Sequence, residues 1–244
     1  MKKLILSLLL VLTVVFAVSC KDKAVSTQAE NITEVETEPE TQTPTEKRVQ
    51  KIHGIDVSSF SGAIDWSKVK NDNIDFAIIR IGGRGYGESG SLYEDKLALE
   101  NIDSAQKNGI KTGGYFFSQA TSKAEAKEEA EFVVNLLGER KLEFPIAYDV
   151  EHIKNDSARV DDVAYSDSVK FAKVFLDEIK KSGYEPMVYV GEDSILKAED
   201  FKDYKIWYAD YKKPYESGYE ILQYSTNGKI NGISRDVDLD IMYE

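Results

Sequence analysis

The chain has 244 residues, 42% of them hydrophobic and 30% charged, and carries a formal net charge of -12. That length and apolar content suit one globular domain with some unstructured chain beside it. The acidic excess argues against nucleic acid or an anionic membrane surface as partner, because phosphates are bound by clustered Lys and Arg.

At the N-terminus Lys2 and Lys3 precede an apolar run from Leu4 to Val18, too short and one-sided for a membrane span but suited to a signal peptide. The run closes in Ala17-Val18-Ser19-Cys20, similar to a bacterial lipoprotein cleavage box with Ala17 where Leu is usual. Residues 1–20 are therefore expected to be a lipoprotein-type signal peptide, with lipid on Cys20 as the chain's contact with the membrane and an extracytoplasmic location. A plain secretory signal is the alternative. Cys20 is the single cysteine, which excludes an intrachain disulfide and a cysteine-rich metal site. Residues 21–51 turn to Thr, Glu, Gln, Ser and Pro, a composition that buries too little apolar surface to offset its ordering entropy and predicts a disordered tether.

From residue 52 to 244 short apolar runs alternate with amphipathic stretches. Strands are expected at Ile52–Val57, Phe76–Gly82, Thr112–Ser118, Pro145–Val150, Met187–Val190, Ile206–Ala209, Glu220–Tyr224 and Val237–Ile241. Several are nearly continuous in Ile, Val, Phe and Tyr, the mark of strands buried on both faces. Helices are expected at Asp65–Asn71, Tyr93–Asn108, Lys123–Leu137 and Tyr165–Ser182, with Gly109 and Gly183 as left-handed stops. The helix bearing Glu125, Lys127, Glu128, Glu129 and Glu131 reads as a solvated face backed by an apolar one. Gly82 to Gly87 reads as a flexible loop, since it lacks the Lys-Ser/Thr of a phosphate cradle. After Trp207 the helices stop, and Glu216-Ser217-Gly218 and Asn227-Gly228 suggest hairpins. The pattern predicts an α/β fold: an irregular (β/α) TIM-like barrel with parallel early strands and antiparallel strands at its C-terminal end.

In such a barrel chemistry belongs at the C-terminal ends of the strands. Asp149 and Glu151, in Tyr148-Asp149-Val150-Glu151, share one face of the fourth expected strand, roughly 7 Å apart at their Cα atoms. Two negative groups that close cannot both ionise easily, so one pKa rises, the condition for a general acid near neutrality. A glycosidic bond needs such an acid for its leaving oxygen and a second carboxylate for the oxocarbenium-like centre. Asp56 ends the first strand and Asp238 lies in the last, its neighbour in a closed barrel, so four carboxylates converge on one mouth.

These residues are similar to a known family. Gly54–Ser59 (GIDVSS), Tyr148–Glu151 (YDVE), Ile206–Tyr211 (IWYADY), Leu222–Ser225 (LQYS) and Val237–Asp240 (VDLD) resemble, in order, glycoside hydrolase family 25, the Chalaropsis-type lysozymes or N-acetylmuramidases. The resemblance implies a flattened barrel that cleaves the β-1,4 bond between N-acetylmuramic acid and N-acetylglucosamine in peptidoglycan strands. It implies Glu151 as general acid, Asp149 as the group stabilising the charged intermediate, and Asp56 and Asp238 as supporting carboxylates. A monomer without a cofactor is expected. Two positions depart from the family pattern. Phe116 stands where a His often follows the tyrosine of the third strand, and Asp240 where Asn is frequent. The first is expected to alter a subsite wall, and neither to touch the four carboxylates. Another N-acetylated glycan as substrate, or a silent wall-binding protein, are the rival readings.

A sugar cleft also needs aromatic faces and polar tips. Tyr115, Tyr148, Tyr189 and Trp207 fall near strand ends and suit that role, with core packing an even alternative for Trp207. Asp210 and Gln223 are candidates for bonds to hydroxyl or acetamido groups. Arg80 could pair with the carboxylates or merely balance charge inside the barrel. His53 and His152 lie near the carboxylates in sequence, but their strand positions point them away, so no metal site is expected.

Overall fold

The computed structural model describes residues 50–154, 156–212 and 218–243. Cys20, the expected leader, the expected tether up to residue 49, and Glu216 and Ser217 lie outside the described residues. Lys51, read as the end of the tether, already belongs to the first strand.

The described residues form β1 (Lys51–Val57), α1 (Trp66–Asn71), β2 (Phe76–Arg84), β3 (Leu92–Glu94), α2 (Ala98–Lys107), β4 (Lys111–Phe117), α3 (Lys123–Leu137), β5 (Ile146–Asp149), α4 (Tyr165–Lys181), β6 (Pro186–Val190), β7 (Lys205–Ala209), β8 (Ile221–Gly228) and β9 (Val237–Tyr243). The strands bond in the order β1-β9-β8-β7-β6-β5-β4-β2, and β2 pairs back with β1, so the sheet closes into a barrel. Neighbours are parallel throughout except at β9, which runs antiparallel to both β1 and β8. This is the expected TIM-like α/β barrel. Its helices stop where the glycines predicted, Gly109 at φ 73 and Gly183 at φ 89.

Three local expectations are corrected. The turn signal around Gly218 does not make a hairpin: β7 and β8 are parallel, with Ala209 opposite Gln223. A turn residue marks a bend but not the direction of the next strand. The helix expected from Tyr93 begins at Ala98, and Leu92–Glu94 instead pairs antiparallel with Gly82–Arg84. Gly82-Gly83, read as loop, is the strand that permits this pairing. A Cβ on Gly82 would lie 2.3 Å from the Tyr93 carbonyl oxygen, and one on Gly83 2.4 Å from the Tyr93 hydroxyl.

The period of two along each strand divides the core. Ile146 and Tyr148 of β5, with Val150 just beyond it, face the helices, among Phe116, Phe175 and Ile179. Ala147 faces into the barrel with Phe76, Met187, Tyr189, Trp207 and Met242. Nor is α3 solvated all along its charged side. Glu129 is fully buried and accepts from Arg84 Nε at 2.8 Å and from Ser118 Oγ at 2.6 Å. Its burial follows from Arg84, brought down by the extended β2, which compensates the charge.

Candidate active site

The barrel interior changes character toward the C-terminal strand ends, where apolar packing gives way to carboxylates. A cavity of about 220 Å³ opens there, lined by Asp56, Asp149, Glu151 and Asp238 together with Tyr115, Tyr189, Trp207 and Gln223, and by Asp193 and Tyr211. The four carboxylates expected to converge therefore share one cavity. Closure of the sheet brings Asp56 and Asp238 opposite each other across β1 and β9. Asp149 is the last residue of β5, and Glu151 forms a single antiparallel bridge to Ser194 in the segment after β6, which fixes it at the rim.

These acids are buried together, and that sets their protonation. Burial pushes Asp149 well above the usual carboxylate range, the Glu151 charge adds to this, and Arg80 opposes it. Glu151 is raised to about 7, by burial first and then by the charge of Asp193, with Lys154 opposing. Asp149 Oδ1 is buried with no hydrogen-bond partner among the described residues. The pair thus holds at least one proton at neutrality, and Glu151 is its outer member. Burial also raises Asp238.

Asp56 is driven up by burial and by the charges of Asp240 and Asp238. Asp240 is fully buried, accepts from Trp207 Nε1 at 2.8 Å, and has its own pKa raised to about 7 by burial. Its Oδ2 is buried with no hydrogen-bond partner among the described residues, and its charge raises the neighbouring Asp56 carboxyl. Two buried carboxyls this close cannot both ionise easily. The expectation that position 240 does not touch the carboxylates is corrected: Asp238 and Asp240 are two apart on β9 and share its inner face.

The polar candidates divide. Gln223 is occupied by the protein. Its Nε2 donates to Asp56 Oδ2 at 2.7 Å, and its Oε1 accepts from Tyr189 at 3.1 Å and Tyr211 at 2.7 Å. It orients Asp56 within the site. Tyr115 and Tyr189 line the cavity and meet the Trp207 ring edge-on, at 5.8 and 4.8 Å between centroids. Trp207, almost fully buried, is the floor. Asp210 lies outside this cavity, in the wall of a neighbouring one of about 710 Å³, where it accepts from the Lys212 backbone at 2.8 Å.

Tyr148 does not belong to the cleft. It is buried on the helix side, where its hydroxyl bonds Ser118 at 2.7 Å and its ring lies 5.0 Å from Phe175. With Asp149 facing in, its neighbour on the strand must face out. Arg80 pairs with Asp95 through Nε at 2.9 Å and Nη2 at 2.7 Å. His152 bonds Asp161 at 2.9 Å on the surface, and His53 lines a separate cavity that includes none of the four carboxylates. Asp193 and Tyr211 join the site beyond the residues expected from sequence. Tyr211 ends the family-like segment Ile206–Tyr211, whereas Asp193 sits in a loop with no periodic signal.

Residues 55–233 match the glycosyl hydrolases family 25. The chain belongs to this family. It is 29% identical over 194 residues to the autolytic lysozyme of Clostridium acetobutylicum, covering 77% of this chain and 54% of that protein. The modular autolysin LytC of Streptococcus pneumoniae, also solved with a synthetic peptidoglycan ligand, superposes with a TM-score of 0.66 at 29% identity, over 80% of this chain and 47% of that one. A family 25 glycosyl hydrolase of Bacillus anthracis gives 0.63 at 26% identity, over 81% and 91%. The chain spans about half the length of the first two. Of its two departures from the family 25 pattern, Phe116 lies off the cleft, fully buried 6.1 Å from Phe132 and from Phe175, so it forms no subsite wall.

Proposed function

We propose that this family 25 chain is a lysozyme, an N-acetylmuramidase that hydrolyses the β-1,4 bond between N-acetylmuramic acid and N-acetylglucosamine in peptidoglycan. One observation carries this reading. Glu151 keeps its proton up to about 7 at the rim of an open cavity, next to the more deeply buried Asp149. A carboxylic acid in that state can protonate a departing sugar oxygen. Positive charge then develops at the anomeric carbon, and the cavity already holds an excess of carboxyls to receive it. Asp149 acts as the stabilising group, since its uncompensated Oδ1 gains a partner only when a positive or donor group of the substrate arrives. Asp56 and Asp238 complete the anionic wall. Gln223 holds Asp56, and Tyr115, Tyr189 and Trp207 supply the apolar surface against which a pyranose ring lies.

Digestion of purified peptidoglycan tests the proposal. Wild type is expected to release muropeptides whose new reducing ends are N-acetylmuramic acid by mass spectrometry, and Glu151→Gln to lose roughly three orders of magnitude in rate. Reducing ends of N-acetylglucosamine would reassign the bond, and equal rates would remove Glu151 from its role.

A further inference from the structure

Phe60 is 70% exposed, the most exposed large apolar side chain among the described residues. Exposure alone means little, since much of any protein surface is apolar. Phe60 differs in being held. The Ser58 side chain accepts from its N–H at 3.2 Å, while the Ser58 backbone N–H donates to Ser61 Oγ at 3.3 Å. Ser59 N–H is fixed on Asp95, and Arg235 donates to the Phe60 carbonyl at 2.7 Å. The ring itself is braced by the Arg80 guanidinium, 4.8 Å from its centroid, and Arg80 is clamped by Asp95. An apolar ring fixed in water by so many bonds loses little conformational freedom when a partner covers it.

Phe60 lines a cavity of about 290 Å³ along with Arg80, Arg235, Asp56, Tyr115 and Asp238. The last three also line the carboxylate cavity, so the two adjoin. Two guanidinium groups flank the aromatic ring there, Arg80 paired with Asp95 and Arg235 beside Asp236, which lines the cavity as well.

We infer that Phe60, with Arg235 and Arg80, is a remote glycan subsite. It takes an N-acetylhexosamine ring of the strand beyond the pair joined by the cleaved bond. The apolar face of that ring covers Phe60, and its hydroxyl or acetamido oxygens accept from guanidinium N–H groups, both interactions that a pyranose satisfies at once. This inference rests on the reading of the carboxylate cavity as a glycan-cleaving site.

The test uses peptidoglycan glycan oligomers of two and six sugars. Their binding is measured by calorimetry on Glu151→Gln protein, with and without Phe60→Ala or Phe60→Tyr, and their cleavage on the same Phe60 variants with Glu151 intact. Phe60→Ala is expected to weaken hexamer binding about tenfold, with a much smaller effect on the dimer, and Phe60→Tyr to retain it. Thermal melts of the exposed-site variants should match their parent. An unchanged hexamer affinity in Phe60→Ala, or an equal loss at both lengths, overturns the subsite. Length-dependent binding without any cleavage by intact Glu151 protein leaves the subsite standing and sinks the lysozyme reading. Absence of binding at both lengths overturns both.

Discussion

Glu129 and Asp149 are both buried carboxyls, set on opposite faces of the same barrel wall. Glu129, on the helix side, accepts from Arg84 and from Ser118, and Arg84 also reaches Glu128 at 2.7 Å. Asp149, on the inner side, has one oxygen with no partner among the described residues and feels the charge of Glu151. Burial raises both, but only the first has a cation bonded directly to it. The difference separates a structural acid from a chemical one. A buried acid with its partners supplied holds elements together, whereas one left short of partners keeps the fold under tension that a cationic transition state can relieve.

The sharpest way to break this comparison is to neutralise each side in turn. Glu151→Gln should cost roughly three orders of magnitude in peptidoglycan turnover, about 4 kcal/mol of transition-state stabilisation. The same change should leave the melting temperature at pH 8 unchanged or raised, because it removes a buried acid that ionises at a cost. A strong destabilisation would place Glu151 with the structural acids and undo the contrast.

Glu129→Ala should behave in the opposite sense. Removing the buried partner leaves Arg84 with only the exposed Glu128 and strips Ser118 of its acceptor, at a cost of about 3 kcal/mol in urea unfolding. Activity of the protein that remains folded should change only a few-fold. Lys127→Ala on the same helix, which breaks an exposed pair with Glu131, should cost under about 0.5 kcal/mol. Comparable losses in the two helix variants would show that the buried network holds nothing.

The barrel and the acid pair were legible because both depend on short-range rules. Strands buried on both faces are apolar runs, helices stop at Gly109 and Gly183, and residues two apart on a strand share a face. The same rule, carried one step further, places Tyr148 outside the cleft once Asp149 is inside, and Asp240 beside Asp238. Glu129 was different. Its helix looks amphipathic and charged, and only the arrival of Arg84, 45 residues away in sequence, explains its burial. The direction of β8 was hidden for the same reason, since closure of a sheet is decided by every strand together. Asp193 carried no signal, because its effect on Glu151 depends on where an irregular loop comes to rest.

Asp240 offers a smaller, directional test. Its folded pKa of about 7 lies above the ordinary value, so its ionisation removes stability as pH rises from about 4 to 7. Asp240→Asn lacks that loss, and its stability relative to wild type should increase between pH 5 and pH 8. The Asn side chain also offers Asp56 an N–H in place of a second carboxyl, which lowers the Asp56 pKa. If ionised Asp56 supports turnover, the acidic limb of the rate profile should move to lower pH by about one unit. An unmoved limb would detach Asp56 from catalysis.

The smallest expected effect concerns Asp193, whose charge is the second cause of the raised Glu151 pKa and which is itself paired with Lys154 at 2.6 Å. Asp193→Asn removes that charge and leaves Lys154 free to favour ionised Glu151. Glu151 then loses its proton sooner, and the alkaline limb of activity should shift to lower pH. Lys154→Met should shift it to higher pH, since Asp193 then acts unopposed. Both groups are partly solvated, so each shift should be under one pH unit and should fade at about 1 M salt, where the screening length is only about 3 Å. Opposite shifts from two partners in one ion pair would separate an electrostatic influence on the acid from any loosening of the loop, which would move both limbs in the same way for both variants. Parallel shifts would mean that Asp193 positions Glu151 through the chain and not through its charge.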